Sequence, residues 1–322
     1  MAFLVIASGC ARPLHRFEYT EIIMGVDARV TLFARHEDEA RHAARAAFDR
    51  MNDLDGVLSD YRQDSEAMRL CRAHGRPIAV SDDLYDALER SIEISRQTGG
   101  LFDVTIGPIV QLWRQARRDR RLPAAEALDE ARERVGFQLI GLDPPARTAT
   151  LGRADMRLDF GGIGKGLASQ EALEILVERG IERCLIDLGG DIAAGAPPPG
   201  AGHWRVEVDT GAGSPVLVVP LAHSAIATSG FSEQFVDIEG VRYSHIIDPR
   251  TGMGLTNRTA VCVIGPDGAT ADALASALSV LGREGAAQLM AQFPGCAAML
   301  EVEMDDAPLR IYLNEFPALP ER

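Results

Sequence analysis

The glycine-rich segment Leu158–Gly166 contains Lys165, the only lysine among the 33 basic residues of the chain. Glycines let a ligand approach the backbone, and the N-terminus of a following helix attracts anions. The segment therefore indicates a phosphate site with Lys165 as its positive charge, although a tight turn without a ligand is the alternative. It matches neither a Walker A loop nor the GxGxxG motif. The segment Ile186–Asp191 repeats the pattern with a carboxylate beside paired glycines, and two such loops weaken the simple-turn interpretation.

Asp272 and Ser276 lie four residues apart in a segment that predicts a helix, so they share one helix face. A carboxylate and a hydroxyl are hard oxygen ligands of the kind that Mg²⁺ prefers. The pair is therefore a candidate metal site. The alternative is structural, because the helix dipole favours an Asp in a first turn and Ser is merely small.

His245 ends a predicted strand just before a turn, with Asp248 and Arg250 following it. A neutral imidazole near pH 7 can take a proton from a hydroxyl group, which makes His245 a candidate general base. A hydrogen-bonded core histidine is the alternative. Tyr61 follows a helix in a polar segment, where it could stack on a flat ring or be an ordinary core aromatic.

The elements that must position these groups follow from the apolar pattern. Apolar residues spaced by three and four predict a long helix from about Glu37 to Leu58, and Ser81 can cap a second helix that Gly99-Gly100 ends. The polar stretch Arg114–Arg134 predicts a surface loop and a short helix. Further strands are predicted at Ile22–Ala34, Cys184–Leu188, His203–Asp209, Val216–Leu221, Glu233–Ile238, Val241–Ile247, Thr259–Ile264, Ala297–Val302 and Leu309–Leu313, and further helices at Ala168–Arg179, Thr270–Leu281 and Ala286–Gln292. Helices beside largely antiparallel strands indicate the α+β class.

The composition is that of a folded protein: 322 residues, 46% of them hydrophobic, allow two domains or one large one. The net charge of −14 argues against nucleic-acid binding, because an acidic surface repels phosphate backbones. An anionic cofactor would need a metal ion or a few placed donors. The five cysteines show no CxxC spacing, which argues against a zinc site or a redox pair. The segment 196–202, with its run of prolines, is a candidate seam between subdomains.

The N-terminal segment ends in Ala-Ser-Gly-Cys10, which resembles the end of a bacterial lipoprotein signal where the cysteine is lipidated after cleavage. The apolar run is short and has no basic start, so a buried first strand is the alternative. We expect residues 1–18 to be a signal remnant and linker. No run approaches the roughly 18 apolar residues of a membrane span.

Taken together and in this order, these segments resemble the ApbE family, the flavin transferases that move FMN from FAD onto proteins. The motifs that carry the resemblance are Met24-Gly25, Ser59–Tyr61, Gly100–Asp103, Asp159–Gly166, Asp187–Gly190, Ser229-Gly230, Ser244–Gly252 and Ala271–Ser276. The resemblance implies a T-fold-like α+β architecture, with residues 19–322 forming the flavin transferase domain.

The resemblance implies Mg²⁺-dependent cleavage of the FAD pyrophosphate, with FMN joined to a Thr hydroxyl of a respiratory or electron-transfer flavoprotein and AMP released. His245 would be the base that activates the acceptor Thr. Mg²⁺ would be held by Asp272, Ser276 and the backbone of Gly162. Contacts to FAD are implied for Met24, Tyr61, Leu101, Phe102, Asp103, Asp159, Lys165 and Ile247.

Three motifs depart from the family pattern. Ser276 stands where the family usually has Thr, which keeps the hydroxyl ligand, and Val26 replaces the Thr of the usual Met-Gly-Thr. Phe231-Ser232 replace the usual Asp or Asn followed by Tyr or Phe, a change that would affect how the acceptor docks.

A lipid anchor at Cys10 fits the resemblance, because many family members are anchored in the periplasm, and we expect a periplasmic lipoprotein held at the inner membrane. Two other functions use the same site. One is a Mg²⁺-dependent FAD pyrophosphatase that releases FMN and AMP, and the other is an FAD-binding protein without turnover. Only the transferase needs a docking surface for a flexible acceptor segment.

Overall fold

The computed structural model describes residues 13–210, 214–230, 234–304 and 307–317. Its helices are α1 (Glu37–Leu58), α2 (Glu66–Cys71), α3 (Asp82–Gln97), α4 (Gly107–Asp119), α5 (Ala125–Arg132), α6 (Gly164–Glu178), α7 (Gly268–Leu281) and α8 (Ala286–Met290). Its strands are β1 (His15–Ile23), β2 (Val26–Ala34), β3 (Ile78–Ala79), β4 (Ile140–Asp143), β5 (Thr148–Leu151), β6 (Cys184–Leu188), β7 (Asp191–Ala194), β8 (Trp204–Val208), β9 (Leu217–Leu221), β10 (Ser224–Ser229), β11 (Phe235–Ile238), β12 (Val241–Ser244), β13 (Thr259–Gly265), β14 (Ala297–Val302) and β15 (Leu309–Leu313).

An antiparallel sheet with the strand order β1-β2-β6-β7-β10-β13-β14-β15 organises the fold. Helices α1, α6 and α7 pack on one of its faces, and the β8–β9 hairpin covers part of the other. The central strand β13 is buried on both sides: Val261 and Val263 face the core under α7, whereas Cys262 faces the hairpin. The predicted α+β class, with largely antiparallel sheets and packed helices, is confirmed.

Local sequence signals explain several of these elements. The apolar face of α1 buries Ala40, Ala44, Met51 and Leu54, and its bounds agree with the prediction from the three-and-four spacing. Ser81 caps α3 as predicted, because its side-chain oxygen accepts a hydrogen bond from the backbone N–H of Leu84 at 3.2 Å.

Three local predictions are wrong. Met24-Gly25 does not begin a single strand but forms the two-residue turn between β1 and β2, with positive φ angles of 52° and 78°. The loop predicted to begin at Arg114 begins only after Asp119, because Arg114 lies within α4 with a side chain that is 22% exposed, whereas the short helix predicted in this stretch is present as α5. The helix predicted to begin at Thr270 begins at Gly268, and Asp267 caps it by accepting the Thr270 N–H at 2.8 Å.

Two sequence-based expectations concern segments outside the site. Cys10 and its candidate lipid anchor lie outside the described residues. The segment 196–202 joins β7 to the β8–β9 hairpin, and its role as a seam between subdomains stays a prediction. Among the helices that the structure describes, none combines the length and apolar character needed to span a bilayer.

Candidate functional site

Helices α6 and α7 cross with their backbones in contact, and this crossing assembles the centre of the candidate site. A Cβ atom on Gly166 would lie 2.1 Å from the carbonyl oxygen of Gly268, so even a methyl group would displace backbone. The close approach brings two side chains of α7 against the glycine loop that precedes α6. Asp272 Oδ2 accepts a hydrogen bond from Gly166 N–H at 3.1 Å. Ser276 Oγ lies 2.8 Å from the position that a Cβ atom of Gly162 would take.

The three predicted metal ligands are therefore neighbours in space. Gly162, Asp272 and Ser276 offer a backbone carbonyl, a carboxylate and a hydroxyl, which are the hard oxygen donors that Mg²⁺ takes. Mg²⁺ in proteins is commonly held by one or two carboxylates together with substrate phosphates. No group of three or more His, Cys, Asp or Glu side chains that could hold a metal occurs among the described residues. The donor set thus fits a Mg²⁺ ion that is bound jointly with an anionic ligand.

Lys165, in the first turn of α6, forms an ion pair with Asp191 at the start of β7. Asp191 is 1% exposed, so the pair fixes the ammonium group of Lys165 at the edge of the glycine loop. The turn that precedes Asp191 packs on the β1–β2 hairpin, since a Cβ atom on Gly189 would lie 2.7 Å from the Val26 side chain. The turn before Asp191 thus lies between Lys165 in α6 and the β1–β2 turn that carries Met24, two predicted FAD contacts.

Arg114 links two predicted FAD contacts, Tyr61 and Asp159, with the neighbouring Asp60. Its guanidinium group donates hydrogen bonds to both carboxylate oxygens of Asp60, at 2.6 and 3.0 Å, and to Asp159 at 3.5 Å. The Arg114 Cζ atom also lies 4.1 Å from the centre of the Tyr61 ring. Tyr61 is 77% exposed, so the aromatic ring that was predicted to stack on a flat ligand rests on an arginine and faces solvent.

Arg114 was not predicted as a site residue, because the surrounding arginines suggested a solvated surface. A helix signal was present, since Pro108 lies in the first turn of α4, where proline is favoured. The neighbouring Ile109 and Trp113 are buried, so the helix has an apolar face. Arg114 lies beside that face, close to the two acidic residues that it binds.

Asp159 closes the glycine loop. Its Oδ1 accepts a hydrogen bond from Gly161 N–H at 2.8 Å, and its own N–H donates to the carbonyl of Val104 at 2.7 Å. Burial and the nearby charge of Asp60 raise the pKa of the Asp159 carboxyl, while the Gly161 hydrogen bond and the charge of Arg114 oppose that rise. The Arg114 cation therefore offsets two carboxylates that lie close together.

The carboxylate of Asp103 accepts its hydrogen bonds from other groups of the protein. Its carboxylate accepts hydrogen bonds from Thr105 N–H at 2.8 Å, from Thr105 Oγ1 at 2.6 Å and from Phe137 N–H at 2.8 Å. Burial raises the pKa of Asp103 despite these hydrogen bonds. In this structure Asp103 joins two loops, and it supports Phe102, whose ring lies 3.6 Å from the Cβ position of Gly162. The half-buried Leu101 packs on the same core.

His245 lies directly after β12, at the end of the β11–β12 hairpin. Its backbone N–H donates to the carbonyl of Gln234 at 2.9 Å, and its ring Nδ1 lies 3.1 Å from the same oxygen. A carbonyl can only accept, so Nδ1 must carry the proton, which leaves the lone pair on Nε2. Burial lowers the pKa of His245, and the charges of Arg117 and Lys165 lower it further. The ring is therefore a neutral base that is oriented by a main-chain carbonyl.

Asp248 does not orient His245. Its carboxylate accepts hydrogen bonds from the backbone and side chain of Arg250, at 2.8 to 3.2 Å, and stabilises the turn after the histidine. Ile247 is 7% exposed and packs in a small core that α4 and α5 share with the hairpin. Trp113 anchors the same turn by donating from Nε1 to the carbonyl of Gly252 at 2.8 Å.

The structure brings the predicted residues together in neighbouring groups. Three groups result. Gly162, Phe102, Asp272 and Ser276 surround the α6–α7 crossing, and Tyr61 and Asp159 surround Arg114. Lys165 and Met24 lie on either side of the turn before Asp191. His245 lies directly after β12, where the charge of Lys165 contributes to lowering its pKa, and Asp103, Leu101 and Ile247 are partly or fully enclosed by core residues.

Comparison with known proteins supports a common origin. The ApbE family model matches residues 24–300. The chain is 32% identical over 305 residues to the FAD:protein FMN transferase of Treponema pallidum, covering 89% of this chain and 84% of that protein. It is 29% identical to the FAD:protein FMN transferase of Vibrio cholerae, covering 88% of this chain and 87% of that protein.

Solved structures show the same likeness in three dimensions. The flavin transferase ApbE from Vibrio cholerae superposes with a TM-score of 0.84 at 27% identity, covering 94% of this chain and 99% of that one. The apo form of Pseudomonas stutzeri flavinyl transferase ApbE also gives a TM-score of 0.84, at 26% identity, covering 94% of this chain and 96% of that one. The similarity thus extends over nearly the full length of both structures.

Proposed function

The chain belongs to the ApbE family, and from this premise we propose that it is an FAD:protein FMN transferase. It moves FMN from FAD to the hydroxyl of a Thr in an acceptor flavoprotein and releases AMP. The observation that carries the proposal is the α6–α7 crossing, which holds Asp272 and Ser276 against a glycine loop. Simple turns would not require two helices to meet without intervening side chains at that point.

The local charge at the crossing suits the pyrophosphate of FAD. Gly166 lies in the first turn of α6, and Gly268 is the first residue of α7, so the contact between them brings two helix N-termini together. Each N-terminus carries roughly half a positive charge. The carboxylates of Asp191 and Asp272 balance these N-termini and Lys165, so a bound Mg²⁺ would supply the net positive charge that the pyrophosphate needs.

The oxygen donors of Gly162, Asp272 and Ser276 would hold Mg²⁺ beside the same phosphates. When bound there, Mg²⁺ supplies charge stabilisation of the phosphoryl oxygens. Asp272→Ala removes the carboxylate of this set, while Asp272→Asn keeps an oxygen but loses the charge. We expect both to weaken Mg²⁺ binding, measured by calorimetry in the presence of AMP, and Asp272→Ala to weaken it more.

The protein supplies a proton acceptor and an orientation. The Thr hydroxyl of the acceptor gives its proton to Nε2 of His245, and its oxygen forms a bond to the FMN phosphorus. The bond between that phosphorus and the bridging oxygen breaks, so that AMP leaves. The carbonyl of Gln234 stabilises the imidazolium, because it accepts the Nδ1–H hydrogen bond. Exposed Tyr61, supported by Arg114, would stack on a flat ring of FAD.

One assay separates this proposal from its two alternatives. The chain is incubated with FAD, Mg²⁺ and an acceptor domain, and the products are analysed by mass spectrometry. Covalent FMN on the acceptor means a transferase, free FMN and AMP without acceptor labelling mean a pyrophosphatase, and intact FAD means a binding protein. His245→Ala should lose transfer by about 10²–10⁴-fold, or roughly 3–5 kcal/mol of barrier, while FAD binding persists.

We also propose that the protein is a periplasmic lipoprotein held at the inner membrane through Cys10. The Ala-Ser-Gly-Cys sequence supports this location. Mass spectrometry of the protein from detergent-solubilised membranes should find a lipidated Cys10 as the first residue. Cys10→Ala should move the protein to the soluble fraction, and an unmodified N-terminus in both forms would refute the proposal.

A further inference from the structure

The C-terminal end of α4 carries four exposed arginines on a chain that is otherwise acidic. We call Arg117, Arg118, Arg120 and Arg121 the arginine patch. None of the four forms an ion pair with a carboxylate among the described residues, although the chain has 47 acidic residues. Two nearby arginines do form ion pairs: Arg114 of α4 pairs with Asp60, and Arg132 of α5 pairs with Asp129.

The groups around the patch leave it positive. Arg117 donates a hydrogen bond to the side-chain oxygen of Gln234 at 3.1 Å, and Arg118 donates to the side chain of Gln115. Gln115 also donates to Asp119 at 2.5 Å, so the one carboxylate within the stretch is engaged by an amide rather than by an arginine. Four guanidinium groups and one carboxylate therefore give the surface a net positive charge.

The helix dipole accounts for only part of this pattern. Basic residues are favoured in the last turn of a helix, where Arg117 and Arg118 lie. Arg120 and Arg121 lie beyond that turn, and Arg120 adopts φ = 50°, a left-handed conformation that Gly or Asn takes with less strain. The equally exposed end of α6 has no basic residue in its last turn. A negatively charged partner explains the four arginines at the end of α4 better than the helix dipole does.

The patch lies near His245, because Arg117 and His245 both form hydrogen bonds with Gln234. Gln234 accepts from Arg117 through its side chain and from His245 through its backbone carbonyl. The charge of Arg117 also lowers the pKa of His245. Arg114, which contacts the Tyr61 ring, lies on α4 one turn before Arg117. Helix α4 therefore extends from Tyr61, a predicted FAD contact, to the arginine patch.

We propose that the arginine patch binds an acidic segment of the acceptor protein and holds it beside His245. The inference rests on the proposed function, because it assigns a docking surface to that transfer reaction. The net charge of −14 repels an acidic acceptor on the whole, so a locally positive patch favours one orientation of the encounter. A neutral acceptor segment would gain nothing from it.

The test measures binding of two fluorescent peptides to the full chain by anisotropy. One peptide has glutamates on both sides of a single Thr, and the other has glutamines in their place. The wild type should bind the glutamate peptide more tightly, and the preference should disappear between about 0.05 M and about 0.5 M salt. The double variant Arg118→Glu/Arg121→Glu should weaken binding of the glutamate peptide by roughly tenfold.

A matched control separates the patch from net charge. Arg179 and Arg283 are exposed arginines at the C-terminal ends of α6 and α7, and neither forms an ion pair with a described residue. Arg179→Glu/Arg283→Glu changes the net charge by the same amount and should alter binding by less than about twofold. Equal losses in the two double variants, or a wild type without preference, would overturn the proposal.

Three further measurements test the placement and the partner. Binding of the glutamate peptide should shift the ring resonances of ¹³C-labelled His245, and an unmoved resonance refutes the placement. FAD affinity should be unchanged in Arg118→Glu/Arg121→Glu, since a loss equal to that of the peptide would assign the patch to FAD. Patch-dependent binding of phosphatidylglycerol vesicles without peptide binding would assign it to a membrane. Flavin transfer to an acceptor is measured in a separate assay. Its absence in the wild type would refute the proposed transferase function, whereas the peptide preference tests only the docking surface.

Discussion

Replacing Arg114 by methionine should destabilise the protein, because it leaves two close carboxylates without their shared cation. The Asp60 and Asp159 side chains are 6% and 11% exposed, and Arg114 is itself 22% exposed. Breaking a buried ion pair costs about 3–5 kcal/mol, and the partial exposure of Arg114 places this one nearer 2–3 kcal/mol. An unfolding entropy of about 2.1 cal/mol/K per residue then gives a Tm lowered by roughly 3–5 °C.

The effect should depend on pH in a defined direction. Without Arg114 the folded-state pKa of Asp159, which burial already raises, should rise further. A raised carboxyl pKa leaves stability intact below the unfolded value of about 3.9 and removes it as pH rises through the folded value. The difference between wild type and Arg114→Met should therefore be large at neutral pH and shrink toward about pH 4.

Urea denaturation at several pH values measures this difference. Arg41→Met is the matched control, because Arg41 pairs with Asp38 on the exposed face of α1, and it should change stability little at any pH. Arg114→Lys should recover only part of the loss, since an ammonium group cannot reproduce the two hydrogen bonds to Asp60. A loss below about 1 kcal/mol at pH 7, or one that does not change with pH, would refute the reasoning.

Three further outcomes are expected. The acid-side pKa in the pH profile of kcat/KM should lie below the ordinary histidine value of about 6.5, because burial lowers the pKa of His245. Arg117→Gln should raise this pKa, and a wild-type value at or above about 6.5 would contradict the assignment. Lys165→Met should weaken FAD binding in a fluorescence titration while the fold is retained, and an unchanged dissociation constant would leave Lys165 with a structural role only. Gly166→Ala should destabilise the protein by about 1–3 kcal/mol or more and weaken Mg²⁺ binding, because its methyl group would clash with the backbone of Gly268. A normal Tm together with normal Mg²⁺ binding would show that the two helices can separate freely.

Strong local periodicity explains which elements could be predicted from sequence. The bounds predicted for α1, β6, β14 and β15 agree with the structure, because their apolar spacing is regular and their ends are clear. The β1–β2 turn was missed because Met24, a residue type that rarely adopts a positive φ, occupies its first position.

Contacts between distant segments limited the prediction of the site. The types of Asp272 and Ser276 and their spacing on one helix face were visible in the sequence. Their contact with the glycine loop depends on a crossing of helices about a hundred residues apart, which no local pattern encodes. The partner that orients His245 was not visible in the sequence either, since a backbone carbonyl has no sequence signature.

The contact between Gly166 and Gly268 has a consequence for the thermodynamics of ligand binding. Two backbones in van der Waals contact have little freedom to shift, so the groups carried by α7 and by the loop before α6 keep their relative positions without a ligand. A ligand that binds there has little conformational entropy to remove from the protein. Its binding free energy is therefore opposed mainly by its own loss of freedom, as in a preorganised site.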